Sequence, residues 1–151
     1  MKRLALIIAI FPLVLNSACS TRASRPSRQR PAGAAWQEYM EAARRALSEG
    51  RESEAREYMK AIREDPETVE VRAAYAPDLA KKVAGSQGVA VGERNLTLKL
   101  INPNFAKIGG PAAAGLILKQ GNIATDFKLF GFQQVIFSDG QNTWTYNLDQ
   151  F

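Results

Sequence analysis

The sequence predicts an α+β fold: an N-terminal helical hairpin, then a small antiparallel sheet with helices on one face. Three observations carry this. Apolar residues recur at helical spacing from Trp36 to Ile62, apolar and polar residues alternate from Leu96 to Leu100, and a turn-rich stretch, Ser138 to Asn142, separates two strand-like runs near the end.

In the first helix Trp36, Tyr39, Met40, Ala43 and Leu47 follow the i, i+3, i+4, i+7, i+11 series of one buried stripe. Gly50 stands where a left-handed residue ends such a helix. Ala55, Tyr58, Met59 and Ile62 form a second stripe, which closes near Asp65-Pro66. A connection this short makes the two helices antiparallel neighbours. Ala43, Gly50, Ala55 and Pro66 reproduce the small-residue spacing of the tetratricopeptide repeat, so residues 36–66 resemble one unit of that family. The resemblance implies a close helix pair and a peptide-binding groove. A solenoid needs roughly three units to bury a continuous core, so one unit must pack on something else. A helix pair serving only as core is the competing reading.

Asp65-Pro66-Glu67 can start a third helix, with a capping acid, proline at the first position and acid in the first turn. Pro77-Asp78 should break it and start another, ended by Gly85. Ser86 to Gly92 reads as loop or short strand. Leu96, Leu98 and Leu100 mark a strand, stopped by Asn102-Pro103-Asn104. Phe105 to Gly131 holds one or two helices, punctuated by Gly109-Gly110-Pro111 and Gly115. Phe132 to Phe137 is a strand, Ser138 to Asn142 is turn chemistry, and Thr143 to Leu148 puts Trp144, Tyr146 and Leu148 on one face. The segment from Gly131 to Leu148 resembles a terminal pattern of small exported bacterial proteins of unknown role, which implies no activity.

The N-terminus has a different character. Met1-Lys2-Arg3 is positive, and Leu4 to Leu15 is an apolar run of twelve residues. About 20 are needed to cross the hydrocarbon core, so this run matches the apolar part of an export signal rather than a span. Leu15-Asn16-Ser17-Ala18-Cys19 resembles the lipobox of bacterial lipoproteins, with Asn16 where an aliphatic residue is usual. The resemblance implies cleavage after Ala18, acylation of Cys19 and, with Ser20 rather than aspartate next, a periplasm-facing place at the outer membrane of the cell envelope. A plain signal peptide with an incidental thiol and an uncleaved anchor are the alternatives. Ser20 to Ala35 has no apolar periodicity and is rich in Ser, Arg, Pro and Gly, the composition of an extended tether. The expected organisation is therefore a signal peptide over 1–18, a lipid-attached tether over 19–35, a helical region over 36–85 and a small α+β domain over 86–151.

Composition excludes several chemistries. There is no histidine, so no imidazole triad, metal ligand or pH switch is available, and one cysteine cannot close an intramolecular disulfide. Residues 1–30 carry six of the 20 basic groups and none of the 15 acidic ones, so residues 31–151 hold 14 basic against 15 acidic groups. A nucleic-acid-binding domain carries its positive charge on the folded part, so no nucleic-acid partner is expected. The four arginines of the tether suit anionic headgroups or merely solvate a linker.

No metal, cofactor or catalytic group is expected. Gly109 to Gly115 lacks the Gly-x-x-x-x-Gly-Lys order of a phosphate cradle and reads as punctuation. Asp126 with Asp139 would be the carboxylate pair of a cell-wall-active enzyme, yet nothing in the sequence makes them converge. Trp144 and Tyr146 could offer a ligand platform, against the plainer reading of core aromatics. Arg51, Arg56, Lys60 and Arg63, interleaved with acids, read as a solvated helix face. The expected role is a lipid-anchored, non-enzymatic envelope protein that binds or positions another protein, with Glu38 and Arg45 on the hairpin as the partner surface. A cell-wall enzyme using carboxylates and a purely structural spacer are the alternatives.

Overall fold

Along residues 35–151, which a computed structural model describes, run helices α1 (Ala35–Ser48), α2 (Glu52–Glu64) and α3 (Thr68–Ala80), then strands β1 (Gln87–Val91) and β2 (Thr97–Ile101). Helices α4 (Gly110–Lys119) and α5 (Ile123–Leu129) follow, then strands β3 (Gln134–Ser138) and β4 (Thr143–Asn147). The signal segment, Cys19 and the expected tether up to residue 34 lie outside the described residues, and Ala35, expected to end the tether, already belongs to α1. The fold is α+β.

Helices α1 and α2 form the hairpin that the two stripes require. Trp36, Met40 and Ala43 on one helix meet Met59 and Ile62 on the other, with Tyr39, Leu47 and Tyr58 half-buried beside them. Gly50, at φ 72°, takes the left-handed conformation. Arg51 N then donates to the Ala46 carbonyl at 2.8 Å and Gly50 N to that of Leu47 at 3.1 Å, the paired bonds that satisfy a helix C-terminus. Ala43, Ala46 and Ala55 have no exposed surface at all, as expected where two helices approach closely. Overpacking a site of this kind costs about 1–3 kcal/mol. Ala55→Leu is therefore expected to lower the melting temperature measurably, whereas Arg56→Ala, whose side chain is 76% exposed, should leave it within a degree or two. Identical melting of the two variants would contradict the close helix approach.

Helix α3 starts at Thr68, after the proline rather than on it; Asp65 closes α2, and its Oδ1 accepts from Glu67 N at 2.9 Å in the turn between the helices. The break expected at Pro77 does not occur, because α3 runs through it to Ala80. The missing N–H of Pro77 frees the carbonyl of Ala73, but both residues are exposed, so water can satisfy it. On the opposite side Ala76, Leu79 and Ala80 are buried against the sheet and hold the helix on course.

The sheet has the order β1-β2-β3-β4. Its outer pairs are antiparallel, but β2 and β3 are parallel, so the sheet is mixed rather than antiparallel throughout. The cause is topological. The chain between β2 and β3 passes through α4 and α5 and returns to the starting end, the crossover a parallel pair needs. Register places Ala90, Leu98, Val135 and Tyr146 in one row across the sheet, and Gly88, Leu100, Phe137 and Trp144 in the next. Both rows face the helices. With Phe105, Leu118, Phe127, Phe132 and Leu148 they build the larger buried cluster. α3 contributes Ala76, Leu79 and Ala80 to this cluster, while Leu129 of α5 belongs to the hairpin's cluster and Phe130 packs against both. Each cluster thus draws on residues from both sides of the division expected at residues 85 and 86.

Candidate functional site

The expected partner residues Glu38 and Arg45 are both exposed on α1. Neither lines the clefts described below. Cys19 falls outside the described residues.

Asp126 and Asp139 do not form a carboxylate pair. Asp126 on α5 accepts from Lys82 Nζ at 2.7 Å. Asp139 sits in the β3–β4 turn, where its Oδ1 accepts from Asn142 N at 2.6 Å and Gln141 N at 2.8 Å. The main-chain and side-chain donors of Asn142, then Gln141 N, hold its carboxyl below the ordinary range. Trp144 and Tyr146 pack against the larger core. The Tyr146 ring meets Phe137 edge-on at 5.8 Å, and its hydroxyl donates to the Pro111 carbonyl at 2.6 Å. Gly109 and Gly110 take positive φ and Pro111 opens α4, so this segment terminates a turn and starts a helix. Among the described residues no group of three or more His, Cys, Asp or Glu could hold a metal ion, and no helix is long and apolar enough to cross a membrane.

One buried charge escaped the sequence reading. Arg72 on α3 is fully buried. Its Nη2 donates to the Arg94 carbonyl at 2.8 Å and its Nη1 to Thr68 Oγ1 at 2.9 Å. Desolvation, with Arg94 and Arg63 nearby, pushes the guanidinium down to about 10. Its role is architectural: it ties α3 to the turn before β2, where Arg94 and Asn95 are held at φ 54° and 55°.

A cleft lies between α2, α5 and the last residues. It measures about 430 Å³ and is lined by Arg56, Lys60, Arg63 and Lys128, with Met59 and Phe151 as apolar wall. A second hollow of about 220 Å³ shares Arg56, Met59, Lys128 and Phe151 and reaches Leu47 on α1. The i, i+4 pairs expected along α2 are present for Arg56 with Glu52 at 3.2 Å and for Lys60 with Glu64 at 4.0 Å. Arg63 departs from the solvated-face reading. Its side chain is only 23% exposed and faces Asp149 at 3.7 Å, too long for a hydrogen bond. Its Nε is buried and has no hydrogen-bond partner among the described residues. Lys128 Nζ donates to the main-chain oxygen of Phe151 at 2.7 Å. Burial pushes this ammonium below the ordinary lysine range, Asp149 opposes the shift, and Arg56 and Arg63 add to it. The residues meeting here come from distant stretches, so helical periodicity alone could flag Arg63 as a face residue but not bring Lys128 beside it.

Comparison with protein-family models, with curated proteins and with solved structures finds no match for this chain.

Proposed function

We propose that this chain is an exported lipoprotein, anchored in the cell envelope through acyl chains on Cys19, and that its folded part binds or positions another envelope protein without catalysis. The observation that carries the reading is the order of the N-terminus: Met1-Lys2-Arg3, the apolar run Leu4 to Leu15, then Ser17-Ala18-Cys19. A tether rich in Ser, Arg and Pro follows, as suits a domain held away from a membrane, with the outer membrane as the proposed place. The binding half is supported by how the side chains are used. Asp126 and Asp139, the carboxylates weighed for hydrolysis, serve an ion pair and a turn, whereas the hairpin displays charged residues, Glu38 and Arg45 among them, on an exposed helical face.

The test is capture of partners from membranes with the intact anchored protein. Glu38→Lys and Arg45→Glu should each reduce recovery of a specific partner several-fold while leaving the melting temperature unchanged, since exposed substitutions cost within about 0.5 kcal/mol. Recovery untouched by every charge reversal on the hairpin, but abolished by changes on the sheet, would contradict the assignment.

A further inference from the structure

We infer that the cleft between α2 and α5 is the seat of an acidic, extended peptide segment, a ligand class that rests on the partner-binding reading above and gives it a chemistry. The inference starts from a local excess of positive charge. Four cations, Arg56, Lys60, Arg63 and Lys128, line the larger cleft with one acidic side chain, Asp149, while Arg56 and Lys60 also pair with Glu52 and Glu64 at 3.2 and 4.0 Å. Arg63 is the least satisfied of the four. Arg63 leaves Nε without a hydrogen-bond partner among the described residues and meets Asp149 only at 3.7 Å. Lys128 donates to a main-chain oxygen of Phe151, the last residue, at 2.7 Å, a bond that an incoming carboxylate would share. The Arg63 side chain keeps 23% of its surface exposed, so an incoming carboxylate can reach its guanidinium and make a charge-assisted bond shorter than the contact with Asp149.

Geometry selects the kind of anion. Arg56, Lys60 and Arg63 are spaced i, i+4, i+7 along α2, a stripe roughly 10 Å long at the helical rise. That is too long for one phosphate. It suits carboxylates two residues apart in an extended chain, which stand about 6.5 Å from each other on one side. The apolar wall of Met59 and Phe151, continued to Leu47 by the adjoining hollow, would take the intervening side chains. The chain's own tether is no candidate occupant, because residues 20–35 carry four arginines and no acid.

The experiment is calorimetric titration of the full chain, in non-ionic detergent, with a blocked peptide of alternating glutamate and leucine. Its lysine–leucine counterpart and vesicles of phosphatidylglycerol are titrated in parallel. The acidic peptide should bind, more weakly as salt is raised, and the lysine peptide should not. Arg63→Gln and Lys128→Met should each weaken binding by roughly tenfold, and the exposed Arg56→Gln by a few-fold. Arg44→Gln, exposed on α1 and outside the cleft lining, should bind as the parent does. Melting curves for each variant separate loss of the site from loss of the fold, and Arg56→Gln keeps the test valid if Arg63→Gln unfolds. Absence of peptide binding at low salt, equal affinity in parent and cleft variants, or vesicle binding through these residues in place of the peptide would each overturn the inference. Those results with partner capture still dependent on Glu38 and Arg45 overturn the cleft alone. Peptide binding that depends on Arg63 and Lys128, with capture indifferent to every hairpin charge, supports the cleft and removes the α1 surface from the account.

Discussion

Gly88→Ala is expected to destabilise this protein more than any exposed change on the hairpin, by about 3 kcal/mol or more. A Cβ at Gly88 would lie 2.3 Å from the carbonyl oxygen of Ala76 and 2.6 Å from Ala80 Cβ. Both distances are far inside van der Waals contact, and neither obstacle is a flexible side-chain end that could swing aside. The Ala76 oxygen belongs to the backbone of α3, and Ala76 and Ala80 are both fully buried. Relief therefore requires α3 to move off β1, opening the larger core along the Gly88, Leu100, Phe137 row. Overpacking usually costs about 1–3 kcal/mol, and a rigid backbone obstacle puts this case at the upper end or beyond. At roughly 4 °C per kcal/mol for a domain of this size, the melting temperature should fall by about 10 °C. Gly115→Ala supplies the opposite sign in the same protein. Gly115 lies inside α4, an added Cβ there meets nothing within 4 Å, and alanine gains up to about 1 kcal/mol of helix propensity. Thermal denaturation of the two variants checks both signs. Parent-like melting of Gly88→Ala would mean that α3 does not sit on β1 as described.

The contrast between these glycines shows what was and was not legible in the sequence. Gly115 reads as weakening a helix, and Gly88 falls in a stretch, Ser86 to Gly92, that reads as loop or short strand; only the register of β1 under α3 makes its missing side chain a requirement. Elements specified by local physics were readable. The stripes Trp36 to Leu47 and Ala55 to Ile62 gave the hairpin, Gly50 its turn, and Asp139-Gly140 the β3–β4 connection. Features decided by tertiary contact were not. Pro77 reads as a stop, yet buried neighbours on the other side of the helix override it. The parallel centre of the sheet depends on where α4 and α5 return the chain, and residue alternation is the same in parallel and antiparallel strands. For the candidate site, Glu38 and Arg45 could be placed on an exposed face from periodicity alone. The cleft could not, because Arg63 and Lys128 are 65 positions apart in the sequence and no local pattern joins them. Arg72 was hidden for a similar reason: a main-chain carbonyl and a threonine hydroxyl hold it, and neither leaves a charge signature.

The second large effect concerns Cys19, on which the proposed location depends. Membrane affinity grows by about 0.8 kcal/mol per buried methylene, and a single acyl chain gives only marginal, reversible attachment. Several acyl chains on one residue, as the proposed lipoprotein reading implies, would hold the protein firmly without a spanning helix. The chain contains no other cysteine, so loss of this thiol removes the whole anchor and not a share of it. Cys19→Ala should therefore convert the protein from a membrane-bound, processed form to an uncleaved precursor or a soluble one, an all-or-none change. Because Cys19 stands 16 positions before the start of α1, the substitution should leave the melting temperature of the folded part unchanged. The most direct measurement is incorporation of labelled palmitate in cells producing the parent or Cys19→Ala, read on the immunoprecipitated protein. Label in the parent and none in the variant is the predicted result; equal labelling of the two would contradict the lipoprotein account.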